Sequence, residues 1–225
     1  MRFEDYSKIK KFFNTLMLTL ENKMREEVRA SKDPLCRAMQ YAMGGNFIDF
    51  GAMGAVDENK LCEILDGSCD IEIDMGVLEE LRADIKKAKN IVFFTDNCGE
   101  IVADKVLMNA IKGENPDAHL TAIVRGAPIL NDATLEDAEQ VGLELVADKV
   151  IGNGNGIAGN VLSRASSEAM AYINKADLLI SKGQGNFETL SGCGLNVYYV
   201  FMCKCDLFVN RFNVPLYTGL LKKEI

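Results

Sequence analysis

From residue 91 onward the chain alternates short β-rich runs with helical patterns, and this alternation restricts its fold more than any other feature. The β-rich runs are "NIVFFTDN", "HLTAIVRG", "LELVADKVIG", "DLLISKG", "VYYVFMCK" and a last "VPLYTG". Between them come helices from about Gly99 to Lys112 and from about Asp132 to Val141, a helix in "SSEAMAYINKA", a turn or helix at "NFETLSG" and a helix at "DLFVNRF". Strands separated by single helices are joined by crossovers, so the pattern predicts βαβ units and an α/β domain whose mainly parallel sheet is covered on both faces.

The N-terminal portion, to about residue 88, reads as mostly helical. Phe12, Leu16, Leu20, Met24 and Val28 form an i, i+4 row with Ile9, Phe13 and Met17 beside it, which predicts one helix over about residues 4–30 with a buried stripe. In "SKDP", Asp33 is placed as N-cap and Pro34 as the first residue of a second helix, expected to end near Gly44 and Gly45. The stretch "GNFIDFGAMG" is too glycine-rich for an ordinary helix link. The reading divides the chain into a helical part, 1–88, and an α/β part, 89–225.

The length of 225 residues suffices for a sizeable core. A formal charge of -8, without clustered Lys and Arg, argues against a nucleic-acid-binding surface. Seven scattered cysteines read as free thiols of a reducing compartment. Cys203 and Cys205 lack a second close pair, and His119 is the single histidine, so a structural zinc is not indicated. "MRFEDYSKIKKFF" has no signal-peptide pattern and no apolar run reaches membrane length; the expected location is cytoplasmic.

In an open parallel sheet, ligands sit beyond the carboxyl ends of the strands. The segments following the runs are "TDNCGE", "RGAPILND", "GNGNGIAGN", "SKGQGNFE" and "CKCD", all polar or glycine-rich, which points to one site assembled from several loops. Asp96, Asn97 and Asp132 supply hard oxygen ligands suited to Mg²⁺ or Mn²⁺. Arg125 and Lys182 supply cations for an anion, and the surrounding glycines let backbone N–H groups approach a phosphate. Glu100 is placed to orient an attacking water. Each has a structural alternative: Asp132 as a helix cap, Glu100 as a favourable first-turn acid, Arg125 as a surface ion-pair partner and Lys182 as a solvated loop end. "DFG" at Asp49–Gly51 lacks the other kinase motifs, and "GNGNGIAGN" lacks the ending of a P-loop.

"TDNCGEIVADK", "RGAPILNDAT" and "SKGQGNFETL", in this order, with "GNFIDFG" upstream and "KCD" after a late strand, resemble the metal-dependent damage-control phosphatases, formerly the domain of unknown function 89. The similarity runs from about Asp33 to the C-terminus. It implies a three-layer α/β/α sandwich with an N-terminal helical subdomain, and hydrolysis of phosphate esters with a divalent metal. Carried over by position, the metal ligands fall on Asp96, Asn97 and Asp132, and the phosphate-contacting lysine on Lys182. Glu100, Arg125, Gly126 and Asn186 match other site positions; Asn46 and Asp49 match an upstream loop that closes over the site. Relatives often carry a further N-terminal segment with paired cysteines, which has no counterpart in these residues. The loop "IGNGNGIAGN" departs from the relatives' "NGSDAPG", and that departure bears on substrate choice.

The expected function is a metal-dependent phosphomonoesterase acting on a small, damaged or surplus metabolite, such as a sugar phosphate or a phosphopantetheine-like compound, with Mg²⁺, Mn²⁺, Co²⁺ or Ni²⁺. Attack by water and attack by Asp96 as a covalent nucleophile both remain open. The alternative from another class is a non-catalytic metabolite-binding or regulatory module on the same scaffold. A methyltransferase ranks last, because "TDNCGE" has only one glycine after the first strand.

Overall fold

The computed structural model describes residues 6–47 and 58–224. Four helices come first: α1 (Tyr6–Ala30), α2 (Pro34–Phe47), α3 (Glu58–Gly67) and α4 (Met75–Lys87). They are followed by β1 (Asn90–Phe94), α5 (Glu100–Glu114), β2 (His119–Val124), α6 (Leu135–Val141), β3 (Lys149–Gly152), α7 (Ser167–Ile173), β4 (Leu178–Lys182), α8 (Gln184–Leu190), β5 (Val197–Met202), α9 (Asp206–Phe212) and β6 (Gly219–Glu224). The strands form one sheet in the order β3-β2-β1-β4-β5-β6, parallel except for β6, which runs antiparallel along β5.

Side chains alternate across the sheet, so each strand feeds two cores. Ile91, Phe93, Leu120, Ala122, Leu178 and Ile180 pack with apolar residues of α1, α2, α4 and α5 on one face. Val92, Phe94, Ile123, Leu179, Tyr199 and Phe201 pack with α7, α8 and α9 on the other. This is the expected three-layer α/β/α arrangement, and α1 through α4 share one continuous core with α5 and the sheet. None of the described helices is long and apolar enough to cross a membrane. All seven cysteines are free.

Three details differ from the sequence reading. The buried row of α1 is Phe13, Met17, Leu20, Met24 and Val28, while Phe12 is 56% exposed. A strict i+4 row drifts around a helix of 3.6 residues per turn, whereas mixed steps of three and four stay on one face. Helix α2 runs through Gly44 and Gly45 to Phe47. These glycines permit close packing: a β-carbon at Gly45 would lie 3.3 Å from Ala103 Cβ, and one at Gly44 would lie 2.9 Å from Ser68 Cβ. The last strand is Gly219–Glu224, not "VPLYTG". Pro215 instead opens a turn closed by the Thr218 N–H to the Pro215 carbonyl, and Leu220 and Leu221 are the residues that bury.

Candidate active site

Strand order reverses between β1 and β4, and the segments after β1, β2, β3, β4 and β5 converge outside their carboxyl ends. A cavity of about 230 Å³ lies there, lined by Asp96, Asn97, Leu130, Asn131, Asp132, Ala158, Gly159, Gln184, Gly185 and Lys204. The three residues expected to hold a metal therefore line one cavity. Backbone pairing puts them side by side: the Ala133 N–H donates to the Asp96 carbonyl at 2.8 Å and the Cys98 N–H to the Asn131 carbonyl at 2.8 Å. Asp132 is not a helix cap, because Thr134 caps α6 in a capping box with Asp137.

Arg125 is buried, not a surface ion-pair partner. Its Nε donates to Asp132 Oδ2 at 2.5 Å, and one terminal nitrogen reaches Asn186 Oδ1 at 2.9 Å and Asp96 Oδ1 at 3.5 Å. The guanidinium thus orients both carboxyl groups of the cavity. Asn186 uses its whole amide: Nδ2 donates to the Thr95 and Lys182 carbonyls at 3.0 and 2.6 Å, and Oδ1 accepts from Arg125 and from Asn160 Nδ2, each at 2.9 Å. It locks the ends of β1 and β4 together. Gly126 faces the 153–155 loop, its N–H donating to the Asn155 carbonyl at 3.0 Å and to Asn153 Oδ1 at 2.9 Å.

Behind the cavity wall lies a second charged layer. Lys182 is fully buried, and its ammonium donates to Glu100 Oε1, to Asp104 Oδ1 at 2.6 Å and to the Ala42 carbonyl at 3.0 Å. Glu100 also accepts from Asn97 Nδ2 at 2.9 Å and from Asn46 Nδ2 at 3.0 Å. Asn46, whose Oδ1 accepts the Met202 N–H at 2.9 Å, joins α2 to the end of β5. Asp49 lies outside the described residues. Two residues that had no assigned role emerge here. Asp104 sits one turn beyond Glu100 on α5, with Oδ2 unpartnered among the described residues. Lys204 lines the cavity, and its ammonium makes no hydrogen bond or ion pair among the described residues. The "KCD" after β5 was a visible signal for Lys204, and Asp104 lies inside the quoted "TDNCGEIVADK", four residues after Glu100, without a role having been read for it.

Electrostatics follow from this layering. Burial, with the charges of Glu100 and Asp132 added, pushes Asp96 up to about 7, against the pull of Arg125 and Lys204. Burial also raises Asp132, with Arg125 opposing it, and pushes Asp104 up to about 8 against Lys182. Glu100 goes the other way: burial disfavours its charge, but Lys182, Lys204 and the Asn46 amide overcome that and hold it below the usual carboxylate range. Burial likewise opposes the charge on Lys182, and Asp104 and Glu100 outweigh it, raising its pKa.

Among the described residues no three His, Cys, Asp or Glu side chains form a ready metal cluster. The donor set still fits a hard divalent cation, because Asp96 and Asp132 line the cavity beside the Asn97 amide. Four carboxyl groups, Asp96, Glu100, Asp104 and Asp132, share this region with two cations, Arg125 and Lys182, that are fixed against them. Lys204, which also lines the cavity, leaves one acid in excess when all four are ionised, and a divalent cation between Asp96 and Asp132 would favour their charged forms.

Residues 2–220 match the damage-control phosphatase ARMT1-like domain. The chain belongs to this family. An uncharacterized protein of Methanocaldococcus jannaschii is 35% identical over 229 residues, covering 98% of this chain and 74% of the relative. A damage-control phosphatase of Pyrococcus horikoshii is 37% identical over 179 residues, 79% of this chain and 61% of that one. A damage-control phosphatase of Archaeoglobus fulgidus is 31% identical over 205 residues, 90% and 70% of the two chains. The crystal structure of a DUF89 family protein from Pyrococcus horikoshii has the same fold, with a TM-score of 0.85 at 30% identity, covering 98% of this chain and 75% of that chain. The chain thus spans 61 to 74% of the length of these three sequence relatives. Members named as damage-control phosphatases support a phosphatase of metabolites for the damage-control phosphatase domain described here.

Proposed function

We propose that this protein hydrolyses the phosphate monoester of a small metabolite, with a divalent metal ion held by Asp96, Asn97 and Asp132. The observation that carries the reading is the meeting of these three oxygen donors with the Lys204 ammonium, unpaired among the described residues, in one cavity at the strand-order reversal of a damage-control phosphatase domain. A bound divalent ion would neutralise phosphoryl oxygens and acidify water. Lys204 holds the phosphoryl group as the cavity's available cation, aided by the glycine-rich segments at Gly159 and Gly185. Lys182, expected to contact phosphate, has three acceptors already and serves in this reading to hold Glu100, which in turn orients Asn97. Arg125 keeps the Asp132 and Asp96 carboxyl groups aimed at the cavity, so that they hold water in line with the phosphorus. Sugar phosphates and phosphopantetheine-like compounds are the substrate classes we favour, and Mg²⁺, Mn²⁺, Co²⁺ and Ni²⁺ the ions to try.

The test is hydrolysis of p-nitrophenyl phosphate by metal-stripped protein, with each ion restored in turn and Asp132→Ala in parallel. Turnover that needs a metal and disappears in the variant is the expected result. No turnover with any ion, together with no ion binding by calorimetry, would replace this reading with the non-catalytic binding module.

A further inference from the structure

The core-facing side of α1 carries two polar residues, Lys10 and Asn14, one turn apart, and Asn14 is 0% exposed. A buried amide is costly unless each end finds a partner. Asn14 Oδ1 accepts the Gly99 N–H at 2.6 Å, while Nδ2 donates to Asp137 Oδ1 and to Gln140 Oε1, each at 2.9 Å. Its partners come from the turn after β1 and from helix α6, which directly follows the loop bearing Asp132.

The first is the turn after β1. Gly99, at φ 68 and ψ -58, is the centre of a γ-turn closed by the Glu100 N–H to the Cys98 carbonyl at 2.7 Å. Turns of this hand are rare and strained, and this one sits at the N-cap of α5, where backbone N–H groups lack helical partners. Asn14 supplies the partner for the Gly99 N–H. One residue later comes Glu100, which bonds Asn97, so the turn sets how those two side chains meet.

The second is the segment 131–137. Asp137 accepts the Thr134 N–H at 2.8 Å and its hydroxyl at 2.7 Å, and pairs with Lys10 at 2.6 Å. Thr134 directly follows Asp132 and Ala133, the stretch paired with the backbones of Asp96 and Arg125. One amide on α1 therefore ties the loop bearing Asp96, Asn97 and Glu100 to the loop bearing Asp132.

We infer that Asn14 is a positioning residue of the site, holding the Gly99 turn in register with the 131–137 segment so that the cavity's donors meet. Leucine at this position would keep the volume and lose both ends of the link. Aspartate would keep the acceptor but face Asp137 with a like charge. The consequence for turnover rests on the phosphatase reading; the consequence for the Gly99 amide does not.

The experiment follows amide hydrogen exchange by NMR in the full metal-free chain, with Mn²⁺ calorimetry and p-nitrophenyl phosphate kinetics beside it. In Asn14→Leu, exchange at Gly99 should rise at least tenfold relative to β1 amides. Mn²⁺ affinity should weaken and kcat should fall at least tenfold, with KM within twofold. The exchanged pair Asn14→Asp with Asp137→Asn places an acceptor toward Gly99 and a donor opposite it, and should restore Gly99 protection and most of kcat. Unchanged exchange at Gly99 in Asn14→Leu would overturn the inference, as would a uniform rise across all amides. Should Asn14→Leu fail to fold, the exchanged pair decides: folded with Gly99 protected supports the role, folded with Gly99 exposed overturns it. A wild-type protein without metal-dependent turnover would remove the phosphatase reading and leave the Gly99 comparison intact.

Discussion

A β-carbon added to Gly183 would lie 1.9 Å from Asp96 Oδ2, and Gly183 has φ +80, so only glycine can follow Lys182 while Asp96 keeps its place. Gly183→Ala is expected to push the Asp96 carboxyl aside and lower kcat/KM about 100-fold, as misplacements near 1 Å do. Steady-state kinetics with saturating metal check this. An unchanged kcat/KM would show that the Asp96 position does not matter to turnover.

The two site lysines should separate cleanly. Lys182→Met leaves Glu100 and Asp104 buried without their shared counter-ion, which should cost about 3–5 kcal/mol of stability. Lys204→Met removes a cavity cation that is unpaired among the described residues, so stability should stay within about 0.5 kcal/mol while kcat/KM falls at least about tenfold. Urea denaturation and kinetics on both variants distinguish them; equal stability losses would contradict the two-layer arrangement.

Asn186→Leu deprives the Thr95 and Lys182 carbonyls, Arg125 and Asn160 of a common partner. A loss of about 3 kcal/mol is expected in urea unfolding. A loss below about 1 kcal/mol would mean that water or a shifted side chain replaces the amide.

Acid sensitivity should trace partly to Asp33. Burial disfavours its charge, but Arg82 at 2.6 Å and the Cys36 N–H at 3.0 Å outweigh that and hold its pKa below the ordinary carboxylate value. A carboxyl depressed on folding contributes stability above its unfolded pKa and loses it as pH falls through the folded value. The stability difference between wild type and Asp33→Asn should therefore be largest near neutral pH and shrink in acid. A difference that stays constant from pH 7 to pH 3 would contradict the ion pair.

Much of the site was visible in the sequence because loops at strand ends must be polar wherever they face a ligand. "TDNCGE", "RGAPILND" and "SKGQGNFE" do meet, and Asp96, Asn97 and Asp132 line one cavity. Partner choice was not visible. Arg125 and Lys182 read as cations awaiting an anion, yet both are bound to the chain's own carboxyl groups, Lys182 to Glu100 and Asp104 across 82 and 78 residues of sequence. Asn14 disappeared into an apolar stripe, because its partners Gly99 and Asp137 lie 85 and 123 residues away.

The sequence alone determined what short-range physics controls: the alternation of strand and helix and the Asp33–Pro34 helix start. Tertiary structure decided which face of α1 is buried, that Gly45 lets α2 approach α5 and Gly44 lets it approach Ser68, and that Lys204 is left unpaired among the described residues beside the cavity. Local periods and turn preferences act over a few residues, whereas buried charges choose partners by proximity in the folded chain, which no nearby residue encodes.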